Sequence, residues 1–182
     1  MTLLVLVGPA GVGKGSVVRE ILSKNTDFML SVSATTRSPR PQETDGIHYH
    51  FVPTRDFEEL IRTGQLLEWA QVHGQHYYGT PLAELEKAEL LGRHLVLEID
   101  LQGARQIRGK VDNALSVFLL PPSIQELEAR LRGRGTETEE QIQTRLESAR
   151  IELAAASEFD FQIVNEDLAT AASTIVDLVR KH

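Results

Sequence analysis

Short apolar runs separated by glycine-rich or polar breaks set the first expectations for this chain. Thr2 to Val7 is apolar throughout its length and reads as a buried strand. Gly8 to Gly15 is glycine-rich, and from Ser16 to Lys24 the apolar positions Val17, Val18, Ile21 and Leu22 recur at helical spacing. The chain therefore opens as strand, glycine loop, helix. Phe28 to Ser33 reads as a second strand, Ala34 to Gly46 as a loop rich in Thr, Ser, Pro and Arg, and Ile47 to Val52 as a further strand. A helix is expected from Thr54 through Ile61, ending near Gly64, after which Leu66, Leu67 and Trp69 bury around Glu68. Thr80 reads as an N-cap with Pro81 at the first position of a helix that runs to Gly92.

His94 to Ile99 is another buried strand, ending at Asp100, and Ala104 to Arg108 looks helical. Leu115 to Leu120 is a strand stopped by Pro121 and Pro122. Ser123 with Glu126, and Thr136 with Glu139, read as capping boxes for helices reaching Arg132 and Ala156. Phe161 to Val164 is the last strand and Leu168 to Arg180 the last helix. Strands alternating with helices predict an α/β fold, a parallel sheet with helices on both faces. The stretch from residue 34 to 90 interrupts that alternation and reads as an inserted subdomain.

Composition narrows the class. The 182 residues suffice for one compact domain, and 41% apolar with 25% charged residues is ordinary for a soluble globular protein. There is no cysteine, which excludes disulfides, thiol chemistry and cysteine metal sites. No apolar run approaches the roughly 20 residues of a membrane span. No basic region precedes the first apolar run, so a secretion signal is not expected and a cytoplasmic protein is. The net charge of −7 argues against a general nucleic-acid binder, which needs a basic face. The arginines are nevertheless clustered, at Arg37 and Arg40 and then at Arg130, Arg132, Arg134 and Arg145.

The candidate chemistry begins at Gly8-Pro9-Ala10-Gly11-Val12-Gly13-Lys14, which matches G-x-x-x-x-G-K between a strand and a helix. Glycines let such a backbone curl so that its N–H groups face phosphate oxygens, and the helix that follows adds a positive dipole end. Lys14 is expected to reach the β- and γ-phosphates of ATP as a compact point charge. Gly15 stands where the motif asks for a Ser or Thr that holds Mg²⁺, with Ser16 one place later. This Gly-Lys-Gly version resembles the adenylate kinase loop. Mg²⁺ is then expected to be held mostly by phosphates and water, with Ser16 a candidate ligand. On the acceptor side, Arg37 and Arg40 sit three apart in a proline-braced loop, and forked guanidinium groups suit a phosphate monoester. Tyr49 and Tyr78 can add hydroxyl donors. On residue type alone both arginines are equally compatible with solvated loop charges.

Several further motifs follow in order: Ser33-Ala34-Thr35-Thr36-Arg37-Ser38-Pro39-Arg40, Gly46 to Tyr49, Leu67-Glu68, and Tyr77-Tyr78-Gly79-Thr80. Glu98-Ile99-Asp100-Leu101-Gln102-Gly103, Arg130-Leu131-Arg132-Gly133-Arg134-Gly135 and Phe159 to Asn165 complete the series. Together, over nearly the whole chain, they resemble the guanylate kinases. The resemblance implies a P-loop NTPase-type three-layer sandwich with a central parallel sheet, an inserted GMP-binding subdomain and a helical lid. The implied core is residues 1–33, 93–130 and 157–182, the subdomain 34–92 and the lid 131–156.

It also implies transfer of the γ-phosphate of ATP to GMP with Mg²⁺. Ser33, Arg37, Arg40, Tyr49 and Tyr78 match positions that hold the GMP phosphate, with Glu43 in the same set. Glu68, Thr80 and Asp100 match positions that read guanine. The chemistry agrees, because the guanine edge offers N1–H and an exocyclic amine to carboxylates and an O6 to a hydroxyl, whereas adenine would leave a buried carboxylate unpaired. Arg130, Arg134 and Arg145 match lid positions that reach the transferring phosphate, as phosphoryl transfer requires, and Asn165 matches a segment near adenine. The chain departs from the family at Gln42, where Gly is usual, and at Glu98, where an Asp beside Mg²⁺ and Lys14 is usual. Gly74 to Tyr78 is one residue longer than the common pattern. The six histidines lack metal-ligand spacing. Two other readings share the pattern: a ribose 1,5-bisphosphate phosphokinase, which has no need of a guanine reader, and a non-catalytic binding module, which has generally lost the loop lysine.

Overall fold

The computed structural model describes residues 1–72, 75–133 and 138–182. Its main sheet has the strand order β2-β7-β1-β8-β9, built from β1 (Leu3–Val7), β2 (Phe28–Leu30), β7 (His94–Glu98), β8 (Ala114–Leu120) and β9 (Phe161–Val164). Every pairing in it is parallel. A parallel sheet must be covered on both faces, and the five residues of β1 are all buried, as an uninterrupted apolar run requires. Alternation along the strand divides the core. Leu4 and Leu6 point into one apolar cluster with α1 (Lys14–Lys24), α5 (Ile124–Arg132), α6 (Glu139–Ala154) and α7 (Leu168–Lys181). Leu3, Val5 and Val7 point into the other, with α3 (Leu82–Leu91) and α4 (Leu101–Ile107).

The insertion carries its own sheet, of order β4-β3-β6-β5, from β3 (Ala34–Thr35), β4 (His50–Phe51), β5 (Leu66–Val72) and β6 (His76–Pro81). Only β3 and β4 run parallel, while β6 is antiparallel to both of its neighbours. A small separate core of Ala34, Phe57 and Leu66 lies beneath it, closed by α2 (Thr54–Arg62). Phe57 is fully buried and stacks on Tyr77 at 5.3 Å between ring centroids.

Three local expectations are corrected. Thr80 is not the cap of α3; it lies in β6, Pro81 takes the cap position, and the Thr80 hydroxyl donates to Glu68 instead. The box that opens α6 is formed by Thr138 and Gln141, two residues later than the Thr136–Glu139 pair, and Thr136 itself lies outside the described residues. Thr138 wins because its hydroxyl and the Gln141 amide satisfy one another's backbone N–H groups, while Glu139 is drawn to Arg132. At α5 only half of the expected box forms: Ser123 accepts from the Glu126 amide, while the Glu126 carboxylate pairs with Arg130.

Candidate functional site

The carboxyl ends of the central parallel strands are where an open α/β sheet leaves a crevice, and both sets of candidate residues meet there. The loop from Gly8 to Gly13 joins β1 to α1 and turns tightly, the Val12 amide donating to the Pro9 carbonyl at 3.2 Å. Gly13 occupies the cap position of α1 with φ +103°, a conformation that disfavours any side chain, and a Cβ there would come within 2.6 Å of the Asn165 amide nitrogen. No side chain caps α1 and no acidic residue lies in its first turn, so its positive end faces the crevice uncompensated. Lys14 bends back over the loop, its ammonium donating to the Gly8 carbonyl at 2.5 Å. Pro9, Ala10, Gly11, Gly13, Lys14, Gly15 and Ser16 line a cavity of about 310 Å³, together with Arg19 and Glu98.

Asn165 and Arg130 are drawn to the underside of this loop. The buried Asn165 amide donates to the Val12 carbonyl at 2.8 Å. Arg130 donates to the same carbonyl at 3.2 Å and to the Asn165 carbonyl at 3.3 Å. Arg145 lies on the exposed side of α6, and Arg134 falls outside the described residues.

A second cleft, of about 170 Å³, is lined by Ser33, Tyr49, Glu68, Tyr78, Glu98, Asp100 and their neighbours. Glu98 belongs to both spaces, at the end of β7 between the loop cavity and the cleft. The walls around Glu98 raise its carboxyl above the ordinary range, and Lys14 and then Arg19 pull it back down. Beside the cleft residues Tyr49 and Tyr78, Arg37 is held from three sides. Its Nε donates to the Tyr78 hydroxyl at 3.2 Å, and its two Nη groups make a fork with Glu43 at 2.9 Å each. The guanidinium also lies over the Tyr49 ring, 5.5 Å from its centroid. Glu43 accepts from the Arg40 amide as well, and these contacts, the Arg37 pair first, hold its carboxyl down to about 2. Glu43 therefore orients the arginine loop with its own oxygens. Arg40 is exposed. Of the two adjacent tyrosines, Tyr78 faces Arg37 and Tyr77 faces the small core, as β-strand alternation demands.

At the far end Glu68 is 5% exposed and accepts from the Thr80 hydroxyl at 2.7 Å. Thr80 has no exposed surface at all, so it stands behind Glu68 and holds it. Gly103 makes the packing possible, since a Cβ there would lie 2.6 Å from a Glu68 oxygen. Asp100 caps α4 by accepting from the Gly103 amide at 2.8 Å. Burial pushes the Glu68 carboxyl up, the Thr80 hydroxyl offsets part of this, and the Asp100 charge adds to it.

If Glu68 meets the purine edge that the sequence resemblance implies, the carboxylate must be ionised to accept its two hydrogen bonds, which gives an expected pH dependence. Guanosine binding should weaken as pH falls through the raised Glu68 pKa, beginning above the ordinary carboxylate range. Calorimetric titration with guanosine, which carries no phosphate to titrate, measures it. Glu68→Gln should give a flat profile over the same window.

Several residues were not marked by sequence pattern. Gln106, on α4, pairs its side-chain amide with both the N–H and the carbonyl of Trp69, tying the edge of β5 to the main core beside Glu68. Glu84 is buried in α3 and accepts from the Val32 amide at 2.9 Å, next to Ser33. Glu152 projects from α6 into the electrostatic reach of Lys14 and Asp100. Each depends on contacts between elements distant in sequence. Among the described residues no group of three or more His, Asp or Glu is arranged to hold a metal ion, and no helix is long and apolar enough to cross a membrane.

Comparison with known proteins adds an independent line. The guanylate kinase family model matches residues 1–182. A guanylate kinase of Leifsonia xyli subsp. xyli is 53% identical over 177 residues, spanning 97% of this chain and 70% of the relative. One from Thermosynechococcus vestitus is 52% identical over 166 residues, spanning 91% and 86%. The crystal structure of guanylate kinase from Anaplasma phagocytophilum superposes with a TM-score of 0.76 at 31% identity, covering 99% of this chain and 85% of that one.

Proposed function

This chain belongs to the guanylate kinase family, and from that premise we propose how its residues divide the transfer of a phosphoryl group from ATP to GMP. The observation that carries the division is the placing of Glu98 on the seam between a phosphate-loop cavity and a cleft ending in a buried carboxylate. ATP takes the first space, with its phosphates on the backbone of Gly8 to Ser16 and on Lys14. GMP takes the second, its phosphate toward Ser33, Arg37, Arg40, Tyr49 and Tyr78 and its base toward Glu68 and Asp100. Thr80, having no exposed surface, acts through Glu68 as a positioning residue. Glu43 does the same for Arg37. Asn165 and Arg130 support the loop from below, and Arg130, Arg134 and Arg145 supply positive charge when the segment 131–156 closes as a lid over the core. Residues 34–92 act as the GMP-binding subdomain. Closure matters because water in the site would otherwise compete with GMP for the phosphoryl group.

Mg²⁺ bound with the nucleotide would supply positive charge against that developing on the transferring phosphate. The residues present fit a metal that arrives with the nucleotide, since Mg²⁺ keeps most of its waters and needs only one or two carboxylates. Glu98 is the carboxylate placed to hold one of those waters, and Ser16 is less suited because its Oγ already accepts from Arg19 at 3.1 Å. The setting is cytoplasmic, where ATP and GMP are both found, and neither a membrane nor a nucleic acid is needed as partner.

The deciding experiment is ADP release from ATP with GMP, AMP, dTMP or ribose 1,5-bisphosphate offered in turn. Turnover with GMP alone is expected. Turnover only with the ribose compound would sink the guanine assignment, and no turnover with any acceptor would leave a binding module.

A further inference from the structure

We propose that Arg19 is a direct contact for the phosphates of the donor nucleotide, taking over from the hydroxyl that Gly15 removes from the phosphate loop. Four observations lead there. Arg19 lies one turn into α1, and a helical side chain leans back toward the amino end of its helix. Its guanidinium accordingly reaches the first turn, where Nη2 donates to the Ser16 hydroxyl at 3.1 Å. Its Nη1 stands 3.7 Å from the point where a Cβ on Gly15 would be, and the Glu98 oxygens stand 3.5 and 3.6 Å from the same point. A Ser or Thr side chain at position 15 would project into that space, so glycine there leaves Arg19 and Glu98 facing one another. Arg19 also lines the loop cavity together with Lys14.

The electrostatics make this position informative. The amino end of a helix carries a partial positive charge and disfavours cations. Here two cations, Lys14 and Arg19, are carried to that end, and no acidic residue lies in the first turn to balance them. Glu98 is the anion that faces both. Lys14, Arg19 and the helix amino end give this cavity a cationic lining beside Glu98, which suits an oligophosphate. The hydrogen bond from Arg19 to Ser16 also places a fixed positive charge where a metal ion bound to the Ser16 oxygen would have to sit. The first turn of α1 therefore offers the phosphates a guanidinium in place of a hydroxyl-bound metal, and a guanidinium can pair two phosphate oxygens at once.

The proposal rests on the reading of this cavity as the ATP site, and the test separates the two. Titration calorimetry of the full chain measures ATP and GMP binding separately, in EDTA and in Mg²⁺. Arg19→Gln should weaken ATP binding about ten-fold in EDTA, the loss of one charge-assisted hydrogen bond. The loss should be smaller in Mg²⁺, where the metal shares the phosphate charge. GMP affinity should stay within about two-fold, and Arg19→Lys should recover only part of the loss, since an ammonium keeps the charge but not the fork. Arg19 is exposed and belongs to no core cluster, so the thermal melt of Arg19→Gln should match the parent. If the parent binds ATP in EDTA and Arg19→Gln binds it equally well, or if both nucleotides weaken together, the proposal is wrong. A parent chain that fails to bind ATP at all overturns the site assignment along with it.

Discussion

Replacing Lys14 by alanine is expected to lower kcat at least about a thousand-fold while leaving GMP binding intact. The size follows from what the residue does. Phosphoryl transfer involves little covalent chemistry for the protein, so the rate depends on positioning and on charge placed where charge develops. Removal of one well-placed donor elsewhere costs about 10²- to 10³-fold, and Lys14 carries a full charge in addition. Its ammonium sits over the Gly8 carbonyl at 2.5 Å, already at the mouth of the cavity. GMP should be unaffected, because Arg37 is held by Glu43 and Tyr78 and Glu68 is held by Thr80, none of which lines the loop cavity. Steady-state ADP release alongside GMP calorimetry checks both halves. Near-normal kcat in Lys14→Ala would show that the loop does not act on the transferring phosphate.

The loop was legible because everything it needs is local. One continuous segment supplies the glycines, the lysine and the helix start, and the flanking apolar runs identify the strand and the helix. Strands β1, β7 and β8 were legible for a similar reason, since burial in the sheet leaves largely apolar runs. The second sheet was legible only in the strand expected at Ile47 to Val52, which contains β4; β3 has two residues and carries no period, and β5 and β6 were not read as strands. Residue type identified Arg37, but not that Glu43 would take two of its donors. Thr80 shows the limit most clearly. Ahead of Pro81 its local sequence fits a helix cap, and only the pairing of Glu68 with Thr80 across two strands turns the hydroxyl to the carboxylate. The same applies to Gln106 and Glu84, whose partners lie in other elements.

Glu68→Gln is expected to lower kcat/KM for GMP about 10³-fold, roughly 4 kcal/mol of discrimination, and to raise the stability of the nucleotide-free protein at neutral pH. The two effects have one origin. In the proposed site guanine presents two donors on the edge toward Glu68, and a carboxylate accepts both. The amide of Gln accepts one and turns its own N–H₂ toward the other, leaving a donor facing a donor in a buried site. Adenine presents the N1 acceptor and a C2–H there, and the amide N–H₂ can donate to that N1, so kcat/KM for AMP should not fall with that for GMP. In the free protein the balance is reversed. The folded pKa of Glu68 is raised above its unfolded value because burial disfavours the charge. Between those two pKa values the folded state holds more protons than the unfolded state, so stability falls as pH rises through that window and stays reduced above it. An uncharged Gln escapes that loss, while its carbonyl still accepts from Thr80. Thermal melts at neutral and acidic pH test this, because the advantage of Gln should shrink as pH drops below the unfolded value. A variant that kept GMP turnover within ten-fold, or melted lower than the parent at neutral pH, would mean that Glu68 is a structural carboxylate and the guanine reader lies elsewhere. The expected pairing of a less stable fold with tighter base recognition places the destabilising charge where the ligand, once bound, supplies the missing hydrogen bonds.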